Sequence, residues 1–203
     1  MIEILYGTTN PAKVAMMQRR VDALGIKILS LNDVGNPQLA IDECGNDPLE
    51  NARIKALAYY DVLKIPVFSC DSGLYFDEVD DARQPGLYIR RVGGKVLTDD
   101  EMVAYYGSLA AEFGGKITAR YHNAICLVNG DGTIHEHMDD DTARESFWIV
   151  PVPHEHRDEG FPIDSLSVDI ETGQYYNDLP AKESKYIDDG FVKFFTRIKT
   201  EME

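Results

Sequence analysis

The first turn of the chain commits it to a layered α/β architecture. Ile2 to Tyr6 reads as a buried first strand, and Asn10 then caps a helix whose first turn takes Pro11. Val14, Met17, Val21 and Leu24 recur at helical spacing and line one face of that helix. A strand joined to an amphipathic helix by a short polar turn must cover a sheet with helices, and the rest of the chain keeps this alternation. A second helix fits Pro48 to about Leu63, with Leu49, Ala52, Ala56, Tyr60 and Leu63 on one stripe, and Ile65-Pro66 leads into a strand over 67–70 that breaks at Asp71-Ser72-Gly73. A third helix starts after Thr98, with Glu101 three residues on in a capping box, and stops at Gly114-Gly115. Lys116 to Val128 is rich in β-formers, and Asn129-Gly130-Asp131-Gly132 turns it back into Thr133 to His137 as a hairpin. Phe147 to Val150 reads as a further strand, Pro151 to Pro162 as a loop, and Phe191 to Ile198 as an amphipathic closing helix. The expected class is α/β, or α+β, with a mixed sheet.

Charge restricts the partners. Twenty Lys and Arg against 35 Asp and Glu leave a net charge of −15, so a nucleic-acid backbone is repelled by most of the surface. A small anion can still be held where a few cations and backbone amides converge. Cys44, Cys70 and Cys126 cannot all pair within one chain and fit reduced thiols. The opening MIEILYG has no basic flank or cleavage site, and no apolar stretch reaches the roughly 20 residues that cross a bilayer. The expected location is the cytosol.

Three groups of residues could carry chemistry. Gly7-Thr8-Thr9-Asn10-Pro11-Ala12-Lys13 brings hydroxyls, a side-chain amide, helix-start amides and an ammonium into one turn after a strand, an arrangement suited to phosphate. It lacks the glycines and Lys-Ser/Thr pair of a Walker loop, and an ordinary helix cap beside a solvated lysine has the same composition. Asp42 and Glu43, with Asp71 at the end of a strand, are hard oxygen donors suited to Mg²⁺, although an isolated carboxylate in so acidic a chain is ordinarily a solvated charge. Glu50 and Lys55 are slightly more than one helical turn apart and need not pair. His135/His137 and His154/His156 place two imidazoles on one face of an extended chain, but each set shows only two ligands of a transition-metal site.

The order of these pieces is more specific than any one of them. Thr9-Asn10-x-x-Lys13, Glu43-x-Gly45, Glu50-Asn51-Ala52-x-x-Lys55-Ala56, Asp71-Ser72-Gly73-Leu74 and Pro85-Gly86-Leu87-Tyr88 with Arg91 resemble the inosine triphosphate pyrophosphatase family, the Ham1/RdgB-like proteins. The resemblance continues more weakly through Ala119-Arg120-Tyr121, Gly160-Phe161, Asp164 and the segment around Lys182 and Lys185. It implies an elongated mixed sheet in a single domain with two lobes around an active cleft. It also implies a homodimer and a Mg²⁺-dependent activity, with Mn²⁺ as a substitute, that splits a nucleoside triphosphate into monophosphate and pyrophosphate. Typical members remove inosine, deoxyinosine and xanthosine triphosphates. Carried over by position, Thr8, Thr9, Asn10, Lys13 and Lys55 hold the phosphates, and Glu43 ligates metal with Asp42 as a neighbour. Asp71 orients or deprotonates the attacking water and touches the metal, while Ser72, Arg91, Phe161, Asp164 and Lys182 contact substrate.

Three departures fall on recognition positions. Relatives carry an acid where this chain has Cys70, a poor Mg²⁺ ligand, which implies weaker or rearranged metal binding. Gly160-Phe161-Pro162-Ile163-Asp164-Ser165 keeps one aromatic of the base pocket and lacks the second. Tyr186-Ile187-Asp188-Asp189-Gly190 replaces the Ser-His-Arg triplet that reads a 6-oxo group, which implies an altered base preference. These departures motivate an alternative, a nucleotide sensor without efficient hydrolysis. A zinc module built on the histidine pairs ranks last.

Overall fold

The computed structural model describes residues 2–143, 145–180 and 189–202. The chain divides into two compact units, 1–72 with 123–143 and 183–203, and 73–122 with 144–182. β3 (Val67–Phe76) and β6 (Ile117–Val128) contribute residues to both.

In the first unit β1 (Ile2–Tyr6) pairs in parallel with β2 (Ile26–Leu29) on one side and with the start of β3 on the other. β3 neighbours β6, and β7 (Ile134–His137) folds back antiparallel on β6, the predicted hairpin. Alternate strand residues face two different cores. Ile4, Tyr6, Phe68, Ile125 and Leu127 pack with Met17 and Val21 of α1 (Pro11–Val21) and with Phe191, Phe194, Phe195 and Ile198 of α4 (Gly190–Met202). Leu5, Val67, Cys126 and Val128 pack with Ala52, Ala56 and Tyr59 of α2 (Pro48–Leu63). With helices on both faces, these strands bury both sets of side chains, which is why they read as apolar runs and not as alternating ones.

The helix boundaries follow from their caps. Asn10 Oδ1 accepts from the amides of Ala12 and Lys13, Asp47 Oδ1 accepts from Glu50 N, and Pro11 and Pro48 occupy first-turn positions where no amide partner is needed. Gly7, directly after β1, sits against α2 and β3. A Cβ there would lie 2.7 Å from both Ser69 Oγ and the Tyr59 ring. Gly7→Ala is therefore expected to destabilise the chain by about 1–3 kcal/mol, measurable as a lower denaturant midpoint at unchanged slope.

The second unit holds the rest of β3, an antiparallel ribbon of β4 (Arg91–Val92) and β5 (Lys95–Val96), α3 (Asp99–Glu112), the start of β6, β8 (Phe147–Ile149) and β9 (Ser167–Asp169). β8 lies antiparallel between β6 and β9, with Ala119 opposite Phe147 and Ile149 opposite Ser167. The predicted capping box of α3 is present, with Glu101 N donating to Thr98 Oγ1 at 3.3 Å and Thr98 N donating to Glu101 Oε2 at 2.9 Å. Gly114 and Gly115 follow at φ 85° and 97°, in the left-handed region that ends a helix without side-chain strain. Met102, Val103, Tyr106 and Leu109 of α3 pack with Ile117, Phe147, Ile149 and Leu166. The chain is thus α/β, with a mixed sheet and flanking helices.

One boundary differs from the sequence reading. β3 does not break at Asp71-Ser72-Gly73 but runs on to Phe76. The polar triplet stays extended because its side chains find partners across the strand: Asp71 with Lys55 and Asn51, Ser72 with Asn123.

Candidate functional site

The chemistry-bearing residues of the first unit meet where β1, β3, α1 and α2 come together. Lys55 Nζ donates to Glu43 Oε2 at 3.0 Å and to Asp71 Oδ1 at 2.8 Å, so one ammonium holds both carboxylates. Burial pulls the Lys55 pKa down, but Asp71 and Glu43 more than offset it and the net shift is upward, which keeps the ammonium charged. Asn51 Nδ2 donates to the other Asp71 oxygen at 3.1 Å. Glu50 instead bonds Asn46, so the expected independence of Glu50 and Lys55 holds.

Lys13 faces the same groups from α1. Burial lowers its pKa first, Lys55 lowers it further, and Cys70, Asp71 and Glu43 pull against that shift. Cys70, one residue before Asp71, points to the opposite face of β3, as strand alternation requires. Its thiol is hydrogen-bonded to the Tyr6 hydroxyl, and burial pushes it up to about 11. At neutral pH it is a protonated thiol turned toward the α1 core.

The turn before α1 forms the helix cap that the sequence assigns to Asn10. The amides of Ala12 and Lys13 are taken by Asn10 Oδ1, Asn10 N donates to Thr8 Oγ1 at 3.2 Å, and Val14 N donates to Asn10 O. The Ala12 and Lys13 amides are thus engaged within the helix start, and Thr9 beside them is exposed.

Asp42 is exposed and lies outside the Lys55 network, whereas Glu43 is partly buried within it. The segment turns here, Cys44 N donating to Asp42 O at 3.0 Å, and Gly45 after it is buried. Ser72 Oγ donates to Asn123 Oδ1 at 2.7 Å, and Asn123 Nδ2 donates to Thr142 O at 2.7 Å. Asp189 accepts from Phe191 N at the start of α4 and faces Arg20 at 3.5 Å, so its carboxylate serves that helix start. Lys182, Lys185 and Tyr186 to Asp188 lie outside the described residues.

In the second unit Phe161 and Asp164 share one turn, Asp164 N donating to Phe161 O at 3.1 Å. Gly160 N donates to Asp99 Oδ2 at 3.2 Å, and Asp99 pairs with Arg90 at 2.7 Å, which ties this turn to the start of α3. Arg91 is exposed on β4 with its guanidinium over the Tyr88 ring. The histidine pairs do not converge: His135 meets Glu201, His137 meets Asp141, His154 meets Asp178 and His156 meets Asp158.

Among the described residues no group of three or more His, Cys, Asp or Glu side chains is placed to hold a metal. Glu43 and Asp71 nevertheless fit Mg²⁺, because that ion commonly takes only one or two protein carboxylates and completes its shell with substrate phosphates and waters.

Asn51 is the buried polar residue of this network that stripe-reading overlooked. The buried face of α2 is Pro48, Asn51, Ala52, Ala56 and Tyr59, one position off the predicted stripe at its ends. Asn51 and Lys55, three and seven residues after Pro48, are polar residues at core spacing, and that was the available signal.

Fold and site together define a mixed-sheet α/β protein with paired carboxylates and lysines gathered at the junction of its first strand and helix. The chain belongs to the Ham1 family, whose model matches residues 4–187. It is 33% identical over 138 residues to the dITP/XTP pyrophosphatase of Rhodopseudomonas palustris, a match covering 66% of this chain and 64% of that protein, just under two thirds of its length. It is 32% identical over 155 residues to the dITP/XTP pyrophosphatase of Bradyrhizobium diazoefficiens, covering 74% of this chain and 70% of that protein. The solved structure of a HAM1 protein from Coxiella burnetii shares the fold, with a TM-score of 0.69 at 24% identity over 99% of this chain and 100% of that one.

Proposed function

We propose that the chain is a nucleoside triphosphate pyrophosphatase that acts as a single domain and hydrolyses the bond between the α and β phosphates of deaminated purine nucleotides, releasing monophosphate and pyrophosphate. The observation that carries this reading is the Lys55 ammonium held between Glu43 and Asp71, with the desolvated Lys13 beside them. Family membership and the names of the relatives support the same substrate class.

In this reading Lys13 and Lys55 offset phosphate charge, Lys13 regaining in the bound anion the neutralisation that burial denies it. Thr8, Thr9, Asn10 and Ser72 contact the triphosphate, and Arg91, Phe161, Asp164 and Lys182 contact the rest of the nucleotide. Asp71 takes a proton from the attacking water, and the rate comes from positioning and charge neutralisation. Glu43 and Asp71 would hold Mg²⁺ or Mn²⁺, with Asp42 alongside, and when bound the ion supplies further neutralisation of phosphate charge. The reading includes a homodimer and a cytosolic setting. Among the described residues no helix is long and apolar enough to cross a membrane.

The test is product analysis with Mg²⁺ and a panel of standard and deaminated triphosphates. Pyrophosphate release led by inosine or xanthosine triphosphate is the expected result. Orthophosphate as the product, or binding without turnover across the panel, overturns the reading.

A further inference from the structure

We infer that Asn51 is a positioning residue that sets the separation between the carboxylates of Glu43 and Asp71, an inference that rests on the pyrophosphatase reading. Asn51 is 2% exposed and uses both ends of its amide. Gly45 N donates to its Oδ1 at 2.8 Å, and its Nδ2 donates to Asp71 Oδ2 at 3.1 Å. Because the Gly45 amide can only donate, it fixes which end of the Asn51 side chain is oxygen and leaves the NH₂ to face Asp71. One side chain therefore links the segment that carries Glu43 to the strand that carries Asp71. Lys55 bonds both carboxylates from the next turn of α2, so each Asp71 oxygen has its own donor and the carboxylate cannot rotate without losing one.

Position 45 shows how closely this link is built. A Cβ on Gly45 would lie 2.7 Å from Asn51 Oδ1 and 2.9 Å from Asn51 N, so the Glu43 segment reaches Asn51 only as glycine. Asp, Leu and Gln each fail a requirement of the site. Aspartate lacks the donor, leucine lacks both hydrogen bonds, and glutamine is one methylene too long for the gap.

The test compares Asn51→Asp, which keeps the acceptor for Gly45 and removes the donor to Asp71, with Asn51→Leu, which removes both. Asn51→Asp should lower kcat for pyrophosphate release about 10–100-fold with KM little changed, the size of effect seen when a residue supporting a metal ligand is removed. In an Asp71→Ala background the same change should cost nothing further. Hydrogen exchange gives a readout independent of turnover: the Gly45 amide should stay protected in Asn51→Asp and lose protection in Asn51→Leu. Slow exchange of the Asn51 side-chain NH₂ should disappear in Asp71→Ala. An unchanged kcat in Asn51→Asp, or an equal loss with and without Asp71, overturns the inference, and so does a Gly45 amide indifferent to both variants. If the wild-type chain releases no pyrophosphate, the pyrophosphatase reading fails, and the exchange measurements still decide whether Asn51 holds the two segments together. Should Asn51→Leu not fold, Asn51→Asp carries the comparison.

Discussion

Asp71→Asn is expected to lower the rate of pyrophosphate release by about 10²–10⁴-fold while the chain keeps its fold and its grip on the triphosphate. The substitution is nearly isosteric, and the side chain keeps one oxygen to accept from Lys55 or Asn51, so the local structure has no reason to collapse. It removes the group that can accept a proton from water. It also leaves the Lys55 ammonium with Glu43 as its remaining carboxylate. Single-turnover product release, paired with calorimetric binding of a non-hydrolysable triphosphate, separates the two effects. Turnover within tenfold of wild type would remove Asp71 from the chemistry.

The second large effect lies away from the site. Phe195→Ala should destabilise the first unit by about 3–5 kcal/mol and lower the thermal midpoint by about 6–20 °C. Phe195 is fully buried, edge-on to Phe68 of β3 at 5.1 Å and to Phe194 at 5.5 Å, so its removal opens a cavity between α4 and the strand that carries Asp71. Differential scanning calorimetry measures the shift. A loss below about 1 kcal/mol would mean that α4 contributes far less to this core than its buried ring implies.

Much of this arrangement was legible because it is local. Asn10-Pro11, Pro48 and Thr98 with Glu101 are short-range signals with a mechanical cause, and the helices begin at or next to them. The sheet was harder to read. β2 and β9 are only four and three residues long, and they exist because β1 and β8 supply the ladders they pair with, which no local pattern announces. The continuation of β3 through Asp71-Ser72-Gly73 was hidden for the same reason, since the partners that satisfy its polar side chains, Lys55, Asn51 and Asn123, are distant in sequence. Glu43, Lys55 and Asp71 could be matched to a family pattern, but their junction on a single nitrogen, and the role of Asn51 behind it, depend on three segments folding together. The capping role of Asn10 was readable from its place before Pro11, but composition could not show which helix-start amides its side chain would engage.

With the Ala12 and Lys13 amides engaged by Asn10, a phosphate is recognised differently at this helix start. A cradle of free amides is directional and selects by shape, whereas the Lys13 and Lys55 ammoniums attract by charge and are indifferent to which oxygen they meet. Affinity at this end of the ligand should therefore follow ionic strength more closely than phosphate geometry. Analogues with a methylene or imido bridge between phosphates should be accepted nearly as well as the natural anhydride.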